Sequence, residues 1–341
     1  MRRPACQFIV MVVLFLFGTL LPPPFAGGQS PVIIKLATLA PEGSPWIQVL
    51  KAAADEAQQK TGNAVQFKIY PGGVMGDERD MVRKMHIGQL QAAMLSSASL
   101  ASMYPEIDVL QTPFLFDSYP ETDFVVGKMQ DGFKSGLEKN GYVALGWSEA
   151  GFVYLMSTVP VETLELLRKA KVWIWNDSPM SKAIFEEAGV IGVPLSITDV
   201  LVGLQTGLVE VVYVPPSVAV ALQWFTRIKY ITDAPLNYML GGLVAKKEAF
   251  DKIDPQHQSV VKEVFQRHMT RLKEIIRAEN QEALTVMQKQ GIKLISPGKA
   301  QIADYKAISE KAMQKESGHK FSPKTKEEVS AWLKAYAEGK K

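Results

Sequence analysis

The sequence predicts an α/β fold with mainly parallel sheets, and two observations support this prediction. The first is an alternation of strand-like and helix-like segments, β-α-β-α-β, over residues 31–96. The second is a strand–helix–helix–strand unit over residues 171–218, whose two strands end at Trp175 and Val214. Strands joined by a helical crossover run parallel, and their carboxyl ends face one crevice. We therefore expect a ligand site where these two strands end.

Composition and charge exclude several classes of function. The chain has 341 residues, of which 47% are hydrophobic and 21% charged, as in an ordinary globular protein. This length suffices for about two domains. The formal net charge is only +3, and the basic residues are dispersed along the chain, which argues against a nucleic-acid partner.

The amino terminus has the pattern of a secretion signal. Two arginines precede an apolar run at residues 8–21, and small residues follow at 26–28. The run is shorter than the ~20 residues of a membrane-spanning helix. We expect residues 1–28 to be a cleaved signal peptide and the protein to be exported. Because Cys6 is the single cysteine and lies in this segment, we expect no disulfide and no cysteine-based metal site in the mature protein.

The first half of the chain is expected to alternate strands and helices. Short runs of β-forming residues mark the strands, and apolar residues at helical spacing mark the helices. The predicted strands are 31–38, 65–70, 91–96 and 142–147, and the predicted helices are 46–61, 77–87 and 123–140. Residues 109–116 contain a central proline, which predicts an irregular edge or hinge strand.

The second half continues this alternation around the 171–218 unit. Asp177 or Ser178 is placed to cap the first helix of that unit. Further strands are predicted at 227–231, 236–245 and 292–295, and a long helix at 254–287. A helix of roughly thirty residues is ~45 Å long, which exceeds the width of one small domain.

Several blocks of the sequence resemble a known family. They are PGGVMGDERDMVRKMHIGQLQAAMLSSASL, TPFLF, GWSEAGF, and LVEVVYVPPSV followed by LVAKKEAFDKI. In this order they are similar to the extracytoplasmic solute receptors of the DctP type, which deliver ligands to tripartite ATP-independent periplasmic (TRAP) transporters. The resemblance covers roughly residues 33–300.

The resemblance implies an architecture, a location and partners. The fold would be that of a two-lobed periplasmic binding protein, each lobe a mainly parallel sheet flanked by helices, with a long helix spanning both lobes. The first lobe would hold residues 31–150 and 238–280, and the second residues 151–237 and 281–341. We expect a periplasmic receptor without cofactor or enzymatic activity, whose partners are a small-molecule ligand and the membrane subunits of a TRAP transporter.

The sequence departs from the family pattern at its polar ligand contacts. The resemblance places an arginine at the position of Trp173, often a second arginine at Val153, and an asparagine at Val214. An arginine fork matches both oxygens of a carboxylate, and burying a carboxylate without a cationic partner costs several kcal/mol. We therefore predict an apolar or aromatic ligand, with aromatic or aliphatic monocarboxylates among the candidates.

The residues expected at the pocket are mostly apolar. They are Trp173, Trp175, Phe152, Val153, Val214, Tyr213 and Trp147, with Glu149, Ser97, Arg79 and Asn237 as polar groups and Ser44 with Trp46 in the first loop. The two strand tryptophans share one face, and the alternative is that they fill the sheet–helix core. For the polar residues the alternative is a cap or a turn, and for Arg79 a structural ion pair.

Two other functions are weaker hypotheses. A divergent branch of the family is proposed to take hydrophobic ligands with a tetratricopeptide-repeat partner, and this chain resembles it in what it lacks. An interaction protein that docks to such a periplasmic partner, with a lipid-filled or vestigial site, is therefore the alternative. An enzyme is less favoured, because the four histidines have no paired spacing for a metal and the sequence contains no recognisable nucleophile–base pattern.

Overall fold

The computed structural model describes residues 30–175, 179–315 and 321–339. The expected signal peptide at 1–28, with Cys6, lies outside these ranges. So do Asp177 and Ser178, the expected helix caps. Within the described ranges, no helix has the combination of length and apolar character that a membrane span needs.

Strands and helices alternate along the chain as the sequence predicts. The strands are β1 (Val32–Ala37), β2 (Val65–Tyr70), β3 (Ala92–Ser96), β4 (Tyr142–Ser157), β5 (Val172–Trp175), β6 (Gly192–Leu195), β7 (Val211–Val214), β8 (Tyr230–Thr232), β9 (Asn237–Lys246) and β10 (Lys293–Ile295). The helices are α1 (Pro45–Lys60), α2 (Glu78–His86), α3 (Ser97–Met103), α4 (Tyr119–Lys139), α5 (Leu164–Lys169), α6 (Pro179–Glu187), α7 (Val200–Thr206), α8 (Pro216–Ala221), α9 (Lys247–Phe250), α10 (Pro255–Lys289), α11 (Lys299–Lys315) and α12 (Pro323–Gly339). Short 3-10 helices cover Pro105–Gln111, Ile197–Asp199 and Trp224–Thr226.

Two groups of parallel strands are joined by two long antiparallel ones. The strand order is β2-β1-β3-β9-β4-β7-β5-β6. Strands β1, β2 and β3 are parallel, and so are β5, β6 and β7. Strand β4 pairs with β9 over Tyr142–Val153 and then with β7 over Tyr154–Ser157. This one strand therefore connects the two groups. This arrangement confirms the α/β prediction and the parallel crossover unit around β5 and β7.

The long helix is confirmed, and one strand prediction is wrong. Helix α10 has 35 residues, which makes it ~52 Å long, and the Asp254 side chain caps it by accepting a hydrogen bond from the backbone N–H of Gln256. The predicted strand at 109–116 is instead the end of a 3-10 helix and an irregular segment, in which Phe114 has a φ of 56°. Strand β6, which has four residues and contains Pro194, was not predicted from the sequence.

In the described part of the chain, the apolar core consists of three clusters of buried residues, one beside the second group of strands and two beside the first. One cluster surrounds β5–β7 and includes Trp173 and Val212. Two others flank β1, β3 and β9, and include Phe265 and Phe133. Helix α12 packs on α4, where Trp332 meets Phe124 with ring centroids 6.3 Å apart. The exact division into two lobes stays a prediction.

Candidate ligand cavity

A cavity of about 120 Å³ lies where the parallel strands end. Its walls come from the carboxyl ends of β1, β3, β5 and β7, the crevice in which open α/β sheets place ligands. The middle of β4, the start of α2, helix α8 and strand β9 complete it. The lining residues are Thr38–Pro41, Trp46, Glu78, Met94–Ser96, Glu149, Ala150, Trp173, Trp175, Ile197, Tyr213–Pro215, Val218, Ala221, Leu222 and Met239–Gly241.

Aromatic rings form one wall of this cavity. The rings of Trp173 and Trp175 are stacked with centroids 6.2 Å apart, because residues two apart in a strand share a face. Tyr213 stacks on Trp173 at 5.2 Å, and Trp224 meets Trp173 edge-on at 5.3 Å. Trp173 is 1% exposed and also belongs to the apolar cluster around β5–β7, so it both fills the core and lines the cavity.

The two tryptophans differ in what their indole N–H groups do. Trp173 Nε1 donates to the backbone carbonyl of Leu195 at 3.0 Å. Trp175 Nε1 is buried and has no hydrogen-bond partner within the described ranges. A buried N–H without a partner is costly, and Trp normally satisfies its indole when buried. An acceptor atom on a bound ligand would satisfy this one.

Glu149 lines the cavity, but its carboxylate already has three hydrogen bonds. Arg277 donates to Oε1 from Nε at 2.9 Å and to Oε2 from Nη2 at 2.8 Å. The Tyr238 hydroxyl donates to Oε2 at 2.6 Å.

Two residues further along β4, Gly151 has a φ of +104° at a break in the register with β9, and a Cβ there would lie 2.5 Å from Asn280 Nδ2. The bulge beside Glu149 therefore requires glycine.

Arg277 is shared by two carboxylates. Its Nη1 and Nη2 donate to Asp123 at 2.7 and 2.8 Å, and its guanidinium lies 4.4 Å from the ring centre of Tyr119. Burial alone would lower the pKa of Arg277, but Asp123 and Glu149 outweigh it and the pKa lies above its usual value. Burial and the charge of Glu149 also raise the pKa of Tyr238. The cation that pairs with the lining residue Glu149 is thus engaged by two carboxylates.

Glu78 is the second carboxyl group at the cavity, and serine side chains and backbone donate hydrogen bonds to it. It is 5% exposed and accepts from Ser96 N at 2.9 Å and from Ser96 Oγ at 2.6 Å. Burial raises the pKa of Glu78 to about 7, although the hydrogen bonds from Ser96 and Ser99 act in the opposite direction. The Glu78 carboxyl group is therefore partly protonated near neutral pH.

Five of the eleven predicted pocket residues line the cavity, as does Trp46 from the first loop. The five are Trp173, Trp175, Val214, Tyr213 and Glu149. Of the others, Phe152 packs between the rings of Tyr119 and Tyr238, Trp147 packs on Phe133, and Val153 is in the core. Ser97 is fully buried in α3, Asn237 lines a second cavity, and Arg79 is exposed in the first turn of α2. Ser44 is not among the lining residues either.

The sequence analysis did not identify the hydrogen-bond partners that determine which polar groups at the cavity are available to a ligand. Glu78 follows Asp77, whose side chain caps α2 by accepting a hydrogen bond from the backbone N–H of Glu78. An acidic residue in the first turn of a helix gives no sign in the sequence of facing a cavity. Arg277 is 128 residues from Glu149 and lies within a long helix rich in charges, so no local pattern indicates the pair. No group of three histidine, cysteine or acidic side chains suited to a metal occurs in the part of the chain that the structure describes.

Comparisons with known proteins agree with the architecture. The profile of the bacterial extracellular solute-binding proteins, family 7 (DctP), matches residues 36–318. The 2,3-diketo-L-gulonate-binding periplasmic protein YiaO of Escherichia coli is 26% identical over 244 residues, 71% of this chain and 74% of that protein.

Two solved structures have the same fold. A TRAP periplasmic solute-binding protein from Xanthobacter autotrophicus, with bound β-D-galacturonate, superposes with a TM-score of 0.81 at 20% identity, over 88% of this chain and 99% of that one. Another from Desulfovibrio salexigens, with bound orotic acid, gives 0.81 at 17% identity, over 90% and 99%. The two-lobed fold with its long helix is therefore established for this chain.

Proposed function

We propose a ligand class for this chain from the premise that it belongs to the bacterial extracellular solute-binding proteins, family 7, which are receptors and not enzymes. In our proposal this protein is a periplasmic receptor that delivers its ligand to the membrane subunits of a TRAP transporter. The ligand is an apolar or aromatic compound with one hydrogen-bond-accepting group, and aromatic or aliphatic monocarboxylates are among the candidates.

The observation that carries this proposal is the unpartnered indole N–H of Trp175 in an aromatic wall. An apolar body fits against Trp173, Trp175 and Tyr213, and a single acceptor oxygen pairs with Trp175 Nε1. A cavity of about 120 Å³ suits a small ring compound, since an apolar cavity of ~150 Å³ holds benzene.

Charge argues against a ligand with several acidic or hydroxyl groups. Among the described residues that line the cavity there is no lysine, arginine or histidine, whereas Glu78 and Glu149 supply two carboxyl groups. The cation behind the wall, Arg277, already pairs with Glu149 and Asp123. A diacid would bury two carboxylates without a cationic partner and a monocarboxylate only one, and the hydroxyl groups of a sugar acid would need hydrogen-bond partners as well. The β-D-galacturonate bound by one solved relative carries several hydroxyl groups of this kind.

Delivery to TRAP membrane subunits rests on the family and on the resemblance of the sequence blocks. The periplasmic location rests on these and on the secretion pattern at residues 1–28. For a tetratricopeptide-repeat partner, no contact or surface among the described residues adds support beyond the resemblance. That alternative is therefore kept as an outcome of the experiment.

Native mass spectrometry of the purified exported protein, followed by solvent extraction, tests the proposal. We expect an apolar or aromatic compound at near one-to-one occupancy. The variant Trp173→Arg should lose it, whereas Trp224→Phe, a change in the same aromatic cluster outside the lining, should keep it.

Circular dichroism checks that both variants fold, and Val214→Asn serves as a milder second variant if Trp173→Arg does not. A bound diacid or sugar acid would contradict the proposed ligand class. An empty protein that co-purifies with a repeat protein would favour the interaction alternative.

A further inference from the structure

A second, smaller cavity lies beyond the aromatic wall. It has a volume of about 70 Å³ and is enclosed by α5, α6, α11, the end of β4 and the start of β9. Its lining residues are Pro113, Phe114, Leu155, Leu164, Leu167, Ser181, Ile184, Phe185, Ala188, Tyr213, Leu236, Asn237, Tyr305, Ile308 and Ser309. Most of them are apolar, as in the first cavity.

Tyr213 lines both cavities. Its ring lies 5.2 Å from the ring of Trp173, which lines the first cavity, and 5.3 Å from the ring of Phe185, which lines the second. The Tyr213 hydroxyl accepts a hydrogen bond from the backbone N–H of Trp175 at 3.2 Å, which is at the long end of the usual range. Tyr213 is the one described residue that lines both cavities, so it lies between the two spaces.

Asn237, a lining residue of the second cavity, has one unsatisfied polar atom. Asn237 Oδ1 is buried and has no hydrogen-bond partner in the described part of the chain, while Asn237 Nδ2 makes only a long contact of 3.4 Å with the carbonyl of Gln111. The neighbouring polar groups are engaged: Tyr305 accepts from Gln301 at 2.7 Å, and Ser309 donates to the Tyr305 carbonyl at 2.8 Å. A lone buried acceptor suits a donor brought by a ligand.

We propose that the second cavity is a subsite for the far end of an elongated ligand whose acceptor group sits at Trp175. The ligand would have an apolar body, a carboxylate or carbonyl at one end, and a hydroxyl or amine at the other. The acceptor end pairs with Trp175 Nε1, the body passes Tyr213, and the donor end pairs with Asn237 Oδ1. This inference rests on the proposed function, because it extends the same site.

A series of three probes tests this subsite by isothermal titration calorimetry. Phenylacetate fills only the first cavity, phenylpentanoate has the length to reach the second, and (4-hydroxyphenyl)pentanoate adds a donor. We expect the affinity of the wild-type protein to rise along this series, with about tenfold from the hydroxyl group, which equals ~1.4 kcal/mol.

Matched variants separate the two cavities. Ala188→Leu fills the second cavity and should weaken both long probes at least about tenfold, with phenylacetate changed by less than about twofold. Ala221→Leu fills the first and should weaken all three. Asn237→Leu should remove the gain from the hydroxyl group, and Asn237→Asp, which keeps an acceptor, should retain it.

The outcomes distinguish failure of the subsite from failure of the proposed function. If Ala188→Leu raises the melting temperature and leaves all three affinities unchanged, the second cavity is a packing void and the inference is wrong. The same conclusion follows if phenylacetate binds the wild-type protein as tightly as the long probes. If no probe binds the wild-type protein, phenylacetate included, the proposed ligand class itself fails.

Discussion

The aromatic wall and the charged network behind the cavity differ in whether their polar atoms have hydrogen-bond partners. In the network, Arg277 bonds both Glu149 and Asp123, and Tyr238 adds a further hydrogen bond. In the wall, Trp175 keeps a buried N–H without a partner among the described residues. The cation near the cavity is thus already paired, and in our proposal the ligand pairs with the neutral indole N–H instead. We therefore propose that the ligand class depends on which polar groups are unpartnered, more than on the presence of charge.

The largest expected effect comes from breaking the network. Removing one partner of a buried ion pair leaves the other charge uncompensated, so Arg277→Met should lower the free energy of unfolding by about 3–5 kcal/mol. Chemical denaturation monitored by circular dichroism measures this. Lys273→Met is the control, because Lys273 pairs with Asp123 at 2.8 Å but is more exposed, and its loss should cost about 1 kcal/mol or less. Equal effects of the two variants would show that Arg277 is not the centre of the network.

A pH-dependent effect of intermediate size is expected at Glu78. Its pKa is raised from 4.5 to about 7 in the folded protein, so the folded state holds the proton more tightly than the unfolded state. The stability contribution of Glu78 is therefore largest below pH 4.5 and decreases as the pH rises to 7, by about 3 kcal/mol. Glu78→Gln should remove this decrease, so that the variant gains on the wild type between pH 5 and pH 8.

The comparison for Glu78 requires a matched exposed carboxylate. Glu42 has a side chain that is 61% exposed, and Glu42→Gln should leave the pH profile of unfolding parallel to that of the wild type. Urea unfolding at a series of pH values gives all three profiles. A wild-type stability that rises relative to Glu78→Gln between pH 5 and pH 8 would reverse the sign and exclude a protonated, buried Glu78.

The smallest expected effect isolates the open donor of the wall. Trp175→Phe keeps an aromatic ring and removes Nε1–H, so a monocarboxylate should bind about tenfold more weakly. A hydrocarbon of similar shape, such as toluene, should lose much less. Fluorescence titration or calorimetry measures both ligands, with Trp224→Phe as the control. Equal losses for the two ligands would mean that Trp175 contributes packing and no hydrogen bond.

The sequence predicted the wall better than the network, and the reason is physical. Strand periodicity put Trp173 and Trp175 on one face, and the crossover rule placed them beside Val214 at the crevice. These are local patterns. The pair Glu149–Arg277 joins residues 128 apart, and a pair between elements distant in sequence leaves no local trace.

The bulge in β4 explains why the predicted apolar lining was only partly placed at the cavity. A break in register between Glu149 and Gly151 shifts the alternation of side chains beyond it. Phe152 therefore packs on Tyr119 and Val153 enters the core, away from the cavity. A glycine in a strand indicates such a bulge only in general terms, so the sequence could not fix the direction of the residues that follow.

The central claim is that the wall selects an apolar ligand with one acceptor group over a sugar acid. Isothermal titration calorimetry of the purified, ligand-stripped protein with phenylpropanoate and with β-D-galacturonate tests it directly. We predict that phenylpropanoate binds at least about 100-fold more tightly, a difference of ~2.7 kcal/mol. Tighter binding of galacturonate, with no measurable heat from phenylpropanoate, would contradict the claim.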